Sequence, residues 1–315
     1  MMKEPALYLK GKSLLTLADF SREEIEYIIH SASKLKQMQK ENKPHQYLKG
    51  KTLAMIFEKS STRTRVSFEV GMYQLGGQSI YLSKKDIQMA RGETVADTAK
   101  VLSGYVDAIM IRTDLHETVE QLAQYASIPV INGLTDYYHP CQVLADLLTI
   151  YEHRGYLEGN KLVYVGDGNN MAHSLMIGCA KVGIDCVIAS PKGYEPIPTI
   201  VAKAKEIATE TNTLIEITND PEEACVNADF VYTDVWASMG WEDEHEKRLQ
   251  AFKGYQVNSK LMSYAKKDAA FLHCLPAHRG EEISTEVIDG PQSLVFEEAE
   301  NRLHAQKALL IALLS

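Results

Sequence analysis

The chain has 315 residues and carries 33 Lys+Arg against 42 Asp+Glu, a formal net charge of −9. That balance excludes a generic nucleic-acid binder, and the length exceeds what one small core needs, fitting two α/β domains or one large one. With 45% hydrophobic and 24% charged residues, the composition is that of an ordinary globular protein.

The opening MMKEPALYLKGKSLL has no long apolar core and no small-residue cleavage site, and nowhere do about 18 apolar residues run together. A cytoplasmic protein with no membrane association is expected. The five cysteines, Cys141, Cys179, Cys186, Cys225 and Cys274, are odd in number, widely spaced and never in a C-x-x-C pattern. This argues against a disulfide framework or a structural zinc site and predicts free thiols.

Apolar runs rich in β-branched residues predict strands at 52–57, 107–111, 129–132, 161–165, 184–189, 214–217, 229–232 and 270–272. Between them, apolar residues recurring at three and four predict helices over 62–76, 94–104, 116–125, 171–182 and 198–209. Such alternation predicts an α/β fold in which each of two domains is a parallel sheet flanked by helices. A boundary falls near 133–160. Pro140, suited to a first helical turn because the amide it lacks has no partner there, opens a helical pattern through Val143, Leu144, Leu147, Leu148 and Tyr151. The expected organisation is a first domain over 1–138, a linking helix over 139–153 and a second domain over 154–296. A C-terminal helix over 297–315, with Ala299, Leu303, Lys307, Leu310 and Leu314 along one side, returns to the first domain, so that two helices join the domains.

The most informative segment is Ser60-Ser61-Thr62-Arg63-Thr64-Arg65, between strand 52–57 and a helix. Two readings fit it. Hydroxyls and arginine forks at a helix N-terminus make a phosphate cradle; a Ser/Thr cap with two solvated arginines has the same spacing. The pattern G-x-x-x-x-G-K-[ST] is absent, so nothing points to a nucleotide triphosphate. His139 and Gln142, one helical turn apart, can face one ligand, although a histidine before proline also serves as a turn residue. Val165-Gly166-Asp167-Gly168-Asn169-Asn170-Met171 superficially matches a dinucleotide fingerprint, but Met171 stands where a third glycine belongs and Ala189-Ser190 offers no ribose-binding acid. No cofactor is therefore expected. Cys274, after a strand and His273, is open to three readings: buried thiol, nucleophile or metal ligand. The last would need further ligands at suitable spacing, and no metal is expected.

Ser61-Thr62-Arg63-Thr64-Arg65 after a strand and His139-Pro140-Cys141-Gln142 opening a helix resemble motifs of the aspartate/ornithine carbamoyltransferase superfamily. Asp234-Val235-Trp236-Ala237-Ser238-Met239-Gly240 and His273-Cys274-Leu275-Pro276 narrow the resemblance to its ornithine carbamoyltransferase branch. The motifs occur in the family's order from about residue 60 to 302. The resemblance implies transfer of a carbamoyl group from carbamoyl phosphate to the δ-amino group of L-ornithine, giving L-citrulline and phosphate. It implies that Ser61, Thr62, Arg63, Thr64 and Arg112 hold the phosphate of carbamoyl phosphate. By the same resemblance His139 donates to the carbamoyl oxygen, Gln142 and the Leu275 carbonyl accept from the carbamoyl amide, and Arg302 returns to the carbamoyl oxygen. Gln88 reaches into a neighbouring subunit's site, which makes a homotrimer, or an assembly of trimers, the expected unit. For ornithine, the resemblance assigns the α-carboxylate to Asn170 rather than its neighbour Asn169, the α-amino group to Asp234, and the rest of the backbone to Ser238 and Met239. Cys274 with Asp234 orients the δ-amine. Arg112, His139 and Cys274 are the catalytic set.

The nearest alternative is an enzyme for putrescine or another amine on the same scaffold. Putrescine lacks both α substituents, so a site built from Asn170, Asp234, Ser238 and Met239 would leave buried polar groups unpaired. An aspartate acceptor calls for basic groups, whereas the 234–250 loop carries Glu242, Asp243, Glu244 and Glu246. A non-catalytic homologue should have lost part of the constellation, yet all of it remains. The expected charge layout puts Arg63, Arg65, Arg112 and Arg302 where an anion binds and Asp234 where a cationic amino acid binds, with a biosynthetic role in arginine formation.

Overall fold

The computed structural model describes residues 9–237 and 244–315, Ala90 and Arg91 by backbone only. It divides into two compact units, Met1–Leu148 with Glu300–Ser315, and Thr149–Ala299. Each is a parallel sheet flanked by helices, the α/β class that the alternation predicts.

In chain order the first unit holds α1 (Arg22–Lys40), β1 (Thr52–Phe57), α2 (Thr62–Gln74), β2 (Gln78–Ser83), a 3-10 turn (Gln88–Arg91), α3 (Val95–Ser103), β3 (Ala108–Arg112), α4 (His116–Tyr125) and β4 (Val130–Leu134). The strands lie in the order β2-β1-β3-β4, every pair parallel. Helix α5 (Pro140–Arg154) follows, and the division between units falls inside it. The second unit holds β5 (Lys161–Val165), α6 (Asn170–Val182), β6 (Asp185–Ala189), α7 (Pro198–Thr211), β7 (Ile215–Thr218), α8 (Pro221–Cys225), β8 (Phe230–Thr233), α9 (His245–Ala251), α10 (Ser259–Met262), β9 (Ala270–His273) and α11 (Thr285–Ile288). Its order is β7-β6-β5-β8-β9, again parallel throughout. The last helix, α12 (Val295–Leu314), contributes Val295–Ala299 to the second unit and the remainder to the first.

Central strands are buried on both faces, as parallel strands under helices must be. Ala54, Ile56, Ile109, Ile111 and Val130 meet Ala99, Val119 and Leu122 from the helices in one core. Val163, Val165, Val187, Val231 and Phe271 meet Trp236, Phe252 and Ile288 in the other. Each fully buried aliphatic side chain of this kind stabilises its unit by about 1.5–3 kcal/mol.

Helix α1, strand β2 and the short helices α8 to α11 lie outside the predicted elements. Helix α1 is announced by a capping box, in which Ser21 and Glu24 bond each other's backbone amides. Strand β2 sits at a sheet edge with alternating exposure, so its composition lacks the solid apolar run of a central strand.

In both sheets the strand order reverses direction once, between β1 and β3 and between β5 and β8. The carboxyl ends of strands beside such a switch point open a crevice where ligands bind in open α/β sheets. Every described sequence-predicted site residue except Gln88 and Arg302 follows one of β1, β3, β4, β5, β8 or β9, or ends it.

Candidate active site

In the first unit, β1 runs out at Phe57 and the chain re-enters a helix at Thr62, with Ser61 as N-cap accepting from the Thr64 amide at 3.3 Å. Ser61 satisfies one amide, while the helix N-terminus and Arg63 still present positive potential. Arg65 does not join this group. Its Nε donates to Glu69 at 2.9 Å and its guanidinium lies over the Tyr81 ring, 3.9 Å from the centroid. The expected four-arginine cluster is therefore three, because an i,i+4 carboxylate and an aromatic face claim the fourth.

Arg112 ends β3 at a bulge: Ile111 pairs with Asn132 but Arg112 with Leu134, skipping Gly133. A Cβ on Gly133 would press on Met110 and the Ile111 carbonyl, so glycine permits the register shift of β4 opposite Arg112. His139 follows β4 directly before α5 and is 5% exposed. Burial first, then the positive charges of Arg302, Arg112 and Arg63, holds its imidazole well below the usual histidine range. A neutral imidazole carries one N–H donor.

Arg302, on α12, ties these motifs together. Its Nη1 donates to Gln142 Oε1 at 2.8 Å and its Nη2 to Thr64 Oγ1 at 2.9 Å. Gln142 in turn donates through Nε2 to Asp146 Oδ1 at 2.8 Å. This orients the amide so that Oε1 faces Arg302. Thr64, Gln142 and Arg302 are 0%, 1% and 3% exposed, so the tie is a core feature. Asp146 escaped the sequence reading, although its i+4 spacing from Gln142 was a readable signal. Gln88 is exposed at the first position of its 3-10 turn.

In the second unit, Asn169 caps α6, its Oδ1 accepting from the Met171 amide at 2.9 Å, while its Nδ2 donates to Asp234 Oδ2 at 3.0 Å. Its amide group is thereby committed within the chain, and Asn170 stands next at the first helical position. Gly168 is required by packing: a Cβ there would collide with the backbone of Glu195 and Pro196. The glycine spacing that superficially matches a dinucleotide fingerprint thus makes room for the chain's own backbone.

Asp234, 7% exposed, accepts from three donors: Asn169 Nδ2, the Val235 amide at 2.8 Å, and Cys274 Sγ at 3.1 Å. Cys141, Cys179, Cys186 and Cys225 are buried, whereas Cys274 is half-exposed. Leu275 adopts φ +56°, a left-handed conformation that a branched side chain rarely takes, and a cis bond to Pro276 follows. Asp234, His273 and Cys274 each present an atom within 4.8 Å of the others, a grouping that linear spacing did not reveal. Both ring nitrogens of His273 are engaged, Nδ1 by the Leu275 amide and Nε2 by Glu282. A metal here would have to displace one of them. Arg248 donates through Nη1 to both Asp167 and the Trp236 carbonyl at 2.8 Å, joining the chain that leaves β5 to the chain that leaves β8. Burial raises the Asp167 carboxyl to about 6 despite Arg248. Ser238 and Met239 lie outside the described residues.

The family description "Aspartate/ornithine carbamoyltransferase, carbamoyl-P binding domain" matches residues 12–152, and "Aspartate/ornithine carbamoyltransferase, Asp/Orn binding domain" matches 158–313. The chain is 64% identical over 308 residues to the ornithine carbamoyltransferase of Anoxybacillus flavithermus, covering 98% of each protein. It is 63% identical over 306 residues to that of Bacillus subtilis, covering 97% of this chain and 95% of the relative. The solved ornithine carbamoyltransferase of Pyrococcus furiosus superposes with a TM-score of 0.95 at 56% identity, over 97% of this chain and 98% of that one.

Proposed function

The chain belongs to the aspartate/ornithine carbamoyltransferase family, and we propose that it transfers the carbamoyl group of carbamoyl phosphate to the δ-amine of L-ornithine, giving L-citrulline and phosphate. The observation that carries this reading is the buried tie of Arg302 to Gln142 and to Thr64 in the first turn of α2, with His139 buried three residues before Gln142. That group supplies fixed positive charge for a phosphate and an N–H for a carbonyl oxygen. The names of its curated relatives carry the choice of acceptor.

The first domain, 1–138 with the returning helix 297–315, binds carbamoyl phosphate. Ser61, Thr62, Arg63, Thr64 and Arg112 take the phosphate, and His139 and Arg302 donate to the carbamoyl oxygen. Gln142 Oε1 and the Leu275 carbonyl accept from the carbamoyl NH₂. The linking helix 139–153 leads to the second domain, 154–296, where Asn170 takes the α-carboxylate of ornithine and Asp234 its ammonium. Ser238 and Met239 hold the remaining backbone. Cys274, donating to Asp234, keeps the δ-amine aligned. Attack of the neutral amine on the carbamoyl carbon pushes negative charge onto an oxygen already faced by donors, and the C–O bond to phosphate breaks as the intermediate collapses. The departing phosphate takes the amine's proton. Preformed donors and orientation supply most of the acceleration.

A homotrimer places Gln88 of one copy at its neighbour's site, and the enzyme works in the cytoplasm in arginine biosynthesis. The deciding assay offers purified protein carbamoyl phosphate with ornithine, putrescine or aspartate and measures the ureido product. Ornithine is expected to exceed putrescine by about 10⁴-fold in kcat/KM, because putrescine leaves the polar groups for the α substituents unpaired. Equal rates with putrescine would refute the reading.

A further inference from the structure

Beyond the motif residues, the segment His273-Cys274-Leu275 is gripped by two fully buried carboxylates that no motif predicts. Glu298 Oε2 accepts from the His273 amide at 2.9 Å, while its Oε1 accepts from the Tyr232 hydroxyl at 3.1 Å. Glu282 Oε1 lies 3.1 Å from His273 Nε2 and accepts from the His278 amide at 2.6 Å. Both carboxylates and His273 are 0% exposed. On its other side the imidazole accepts from the Leu275 amide through Nδ1 at 2.9 Å. An amide N–H pointing at Nδ1 means that this nitrogen carries no proton, so Nε2 carries it and donates to Glu282. The carboxylate therefore selects the tautomer, and the tautomer makes the imidazole an acceptor for Leu275.

The residue so held needs holding. Leu275 sits at φ +56°, a conformation that costs a branched side chain free energy and persists only when its surroundings dictate it. Its predecessor Cys274 donates to Asp234. Were the imidazole to turn or change tautomer, two N–H groups would face each other at Leu275, and the segment would relax to an unstrained φ. The carbonyl of Leu275 and the thiol of Cys274 would then point elsewhere.

We propose that Glu282 is a positioning residue for catalysis: through the His273 tautomer it holds Leu275 in its left-handed conformation and so aims the Leu275 carbonyl and the Cys274 thiol at the reacting groups. This rests on the roles given above to Cys274 and Leu275. Glu282 touches no substrate and shapes kcat through geometry alone. Glutamine can replace it, since an amide oxygen accepts from both His273 and His278; leucine cannot.

The test compares Glu282→Leu, Glu282→Gln, His273→Phe and Cys274→Ser in the full-length protein. Steady-state kinetics are combined with the rate at which iodoacetamide alkylates Cys274, read by peptide mass spectrometry. Glu282→Leu and His273→Phe are expected to lower kcat about 100-fold, the scale of a misplacement near 1 Å, and to raise KM for carbamoyl phosphate, whose amide the Leu275 carbonyl accepts from. Cys274 alkylation should accelerate in both, and Glu282→Gln should restore both the kcat and the slow alkylation. His273→Phe carries the same expectation where Glu282→Leu fails to fold. A folded Glu282→Leu with parental kcat overturns the proposal. So does a Glu282→Gln variant as impaired as the leucine one, since charge rather than acceptor geometry would then matter. Cys274→Ser separates the two levels: if it retains parental kcat, the reading of this segment as part of the active site falls, and the proposal with it. If it loses turnover while Glu282→Leu and His273→Phe do not, the positioning role alone is wrong.

Discussion

The two units solve the same problem with opposite charge. Each places its ligand-facing residues beyond the carboxyl ends of parallel strands at a switch in strand order. In the first unit the assembled groups are cationic or neutral donors: Arg63, Arg112 and Arg302 around a neutral His139, cross-tied by Gln142 and Thr64. In the second the arrangement centres on one carboxylate, Asp234, which accepts from Asn169, the Val235 amide and Cys274. A parallel α/β sheet therefore supplies position, whereas the loop residues supply sign. On the proposed function, this division answers an anionic carbamoyl donor and a cationic amino acid.

The comparison breaks most sharply at Arg63. Arg63→Ala is expected to lower kcat/KM for carbamoyl phosphate by about 10³-fold, the scale of losing a charge-assisted donor to a phosphate. KM for ornithine should change little. Asp234→Asn is the counterpart in the second unit: it keeps the shape and an acceptor but removes the charge. Its kcat/KM for ornithine should fall about 10²-fold, while equilibrium binding of carbamoyl phosphate, read by calorimetry without ornithine, stays intact. If Asp234→Asn weakened carbamoyl phosphate binding as much, the division of labour would be lost.

A smaller effect separates Asn169 from Asn170. Asn169→Ala removes a helix cap and one donor to Asp234, so it should destabilise the second unit by about 1–2 kcal/mol in denaturant unfolding. Asn170→Ala should instead raise KM for ornithine at nearly unchanged stability. The smallest effect concerns Lys307, fully buried with Nζ bonded to Gln74 at 2.8 Å, Gln39 at 2.9 Å and His45 at 3.2 Å. Burial lowers its ammonium to about 8 from an ordinary value of 10.5. Between those values the unfolded chain binds more protons than the folded one, so this group's contribution to stability improves as pH rises from about 8 to 10.5. The thermal midpoint of the parent minus that of Lys307→Met should accordingly increase from pH 7.5 to pH 10.

Local patterns made much of this legible. Every strand buried on two faces announces itself as an apolar run, and Ser61 to Thr64, His139 to Gln142 and His273 to Leu275 are contiguous, so their residue types survive in linear order. Edge strand β2 has no buried residue and two exposed ones, so it lacks an apolar run, and helix α1 is readable from its capping box alone. Linear adjacency to Arg63 says nothing of Tyr81 on β2, whose ring takes the Arg65 guanidinium instead. Lys307 stands on the apolar side of its helix, and the structure buries it where Gln39, Gln74 and His45 from other segments converge on its ammonium.

What the amino-acid order determined by itself was the alternation of strands and helices, the residue types at each strand end, and hence the family and its chemistry. These are properties of neighbours along the chain, where periodicity and capping act over a few residues. Only the tertiary structure decided which of those groups meet. Arg302 finds Gln142 and Thr64 across 160 and 238 positions, and Cys274 finds Asp234 across 40. Such contacts depend on strand order in each sheet and on the burial that makes an unpaired donor costly. Burial also sets the protonation of His139 and Lys307, a property absent from either residue until the fold removes water from around it.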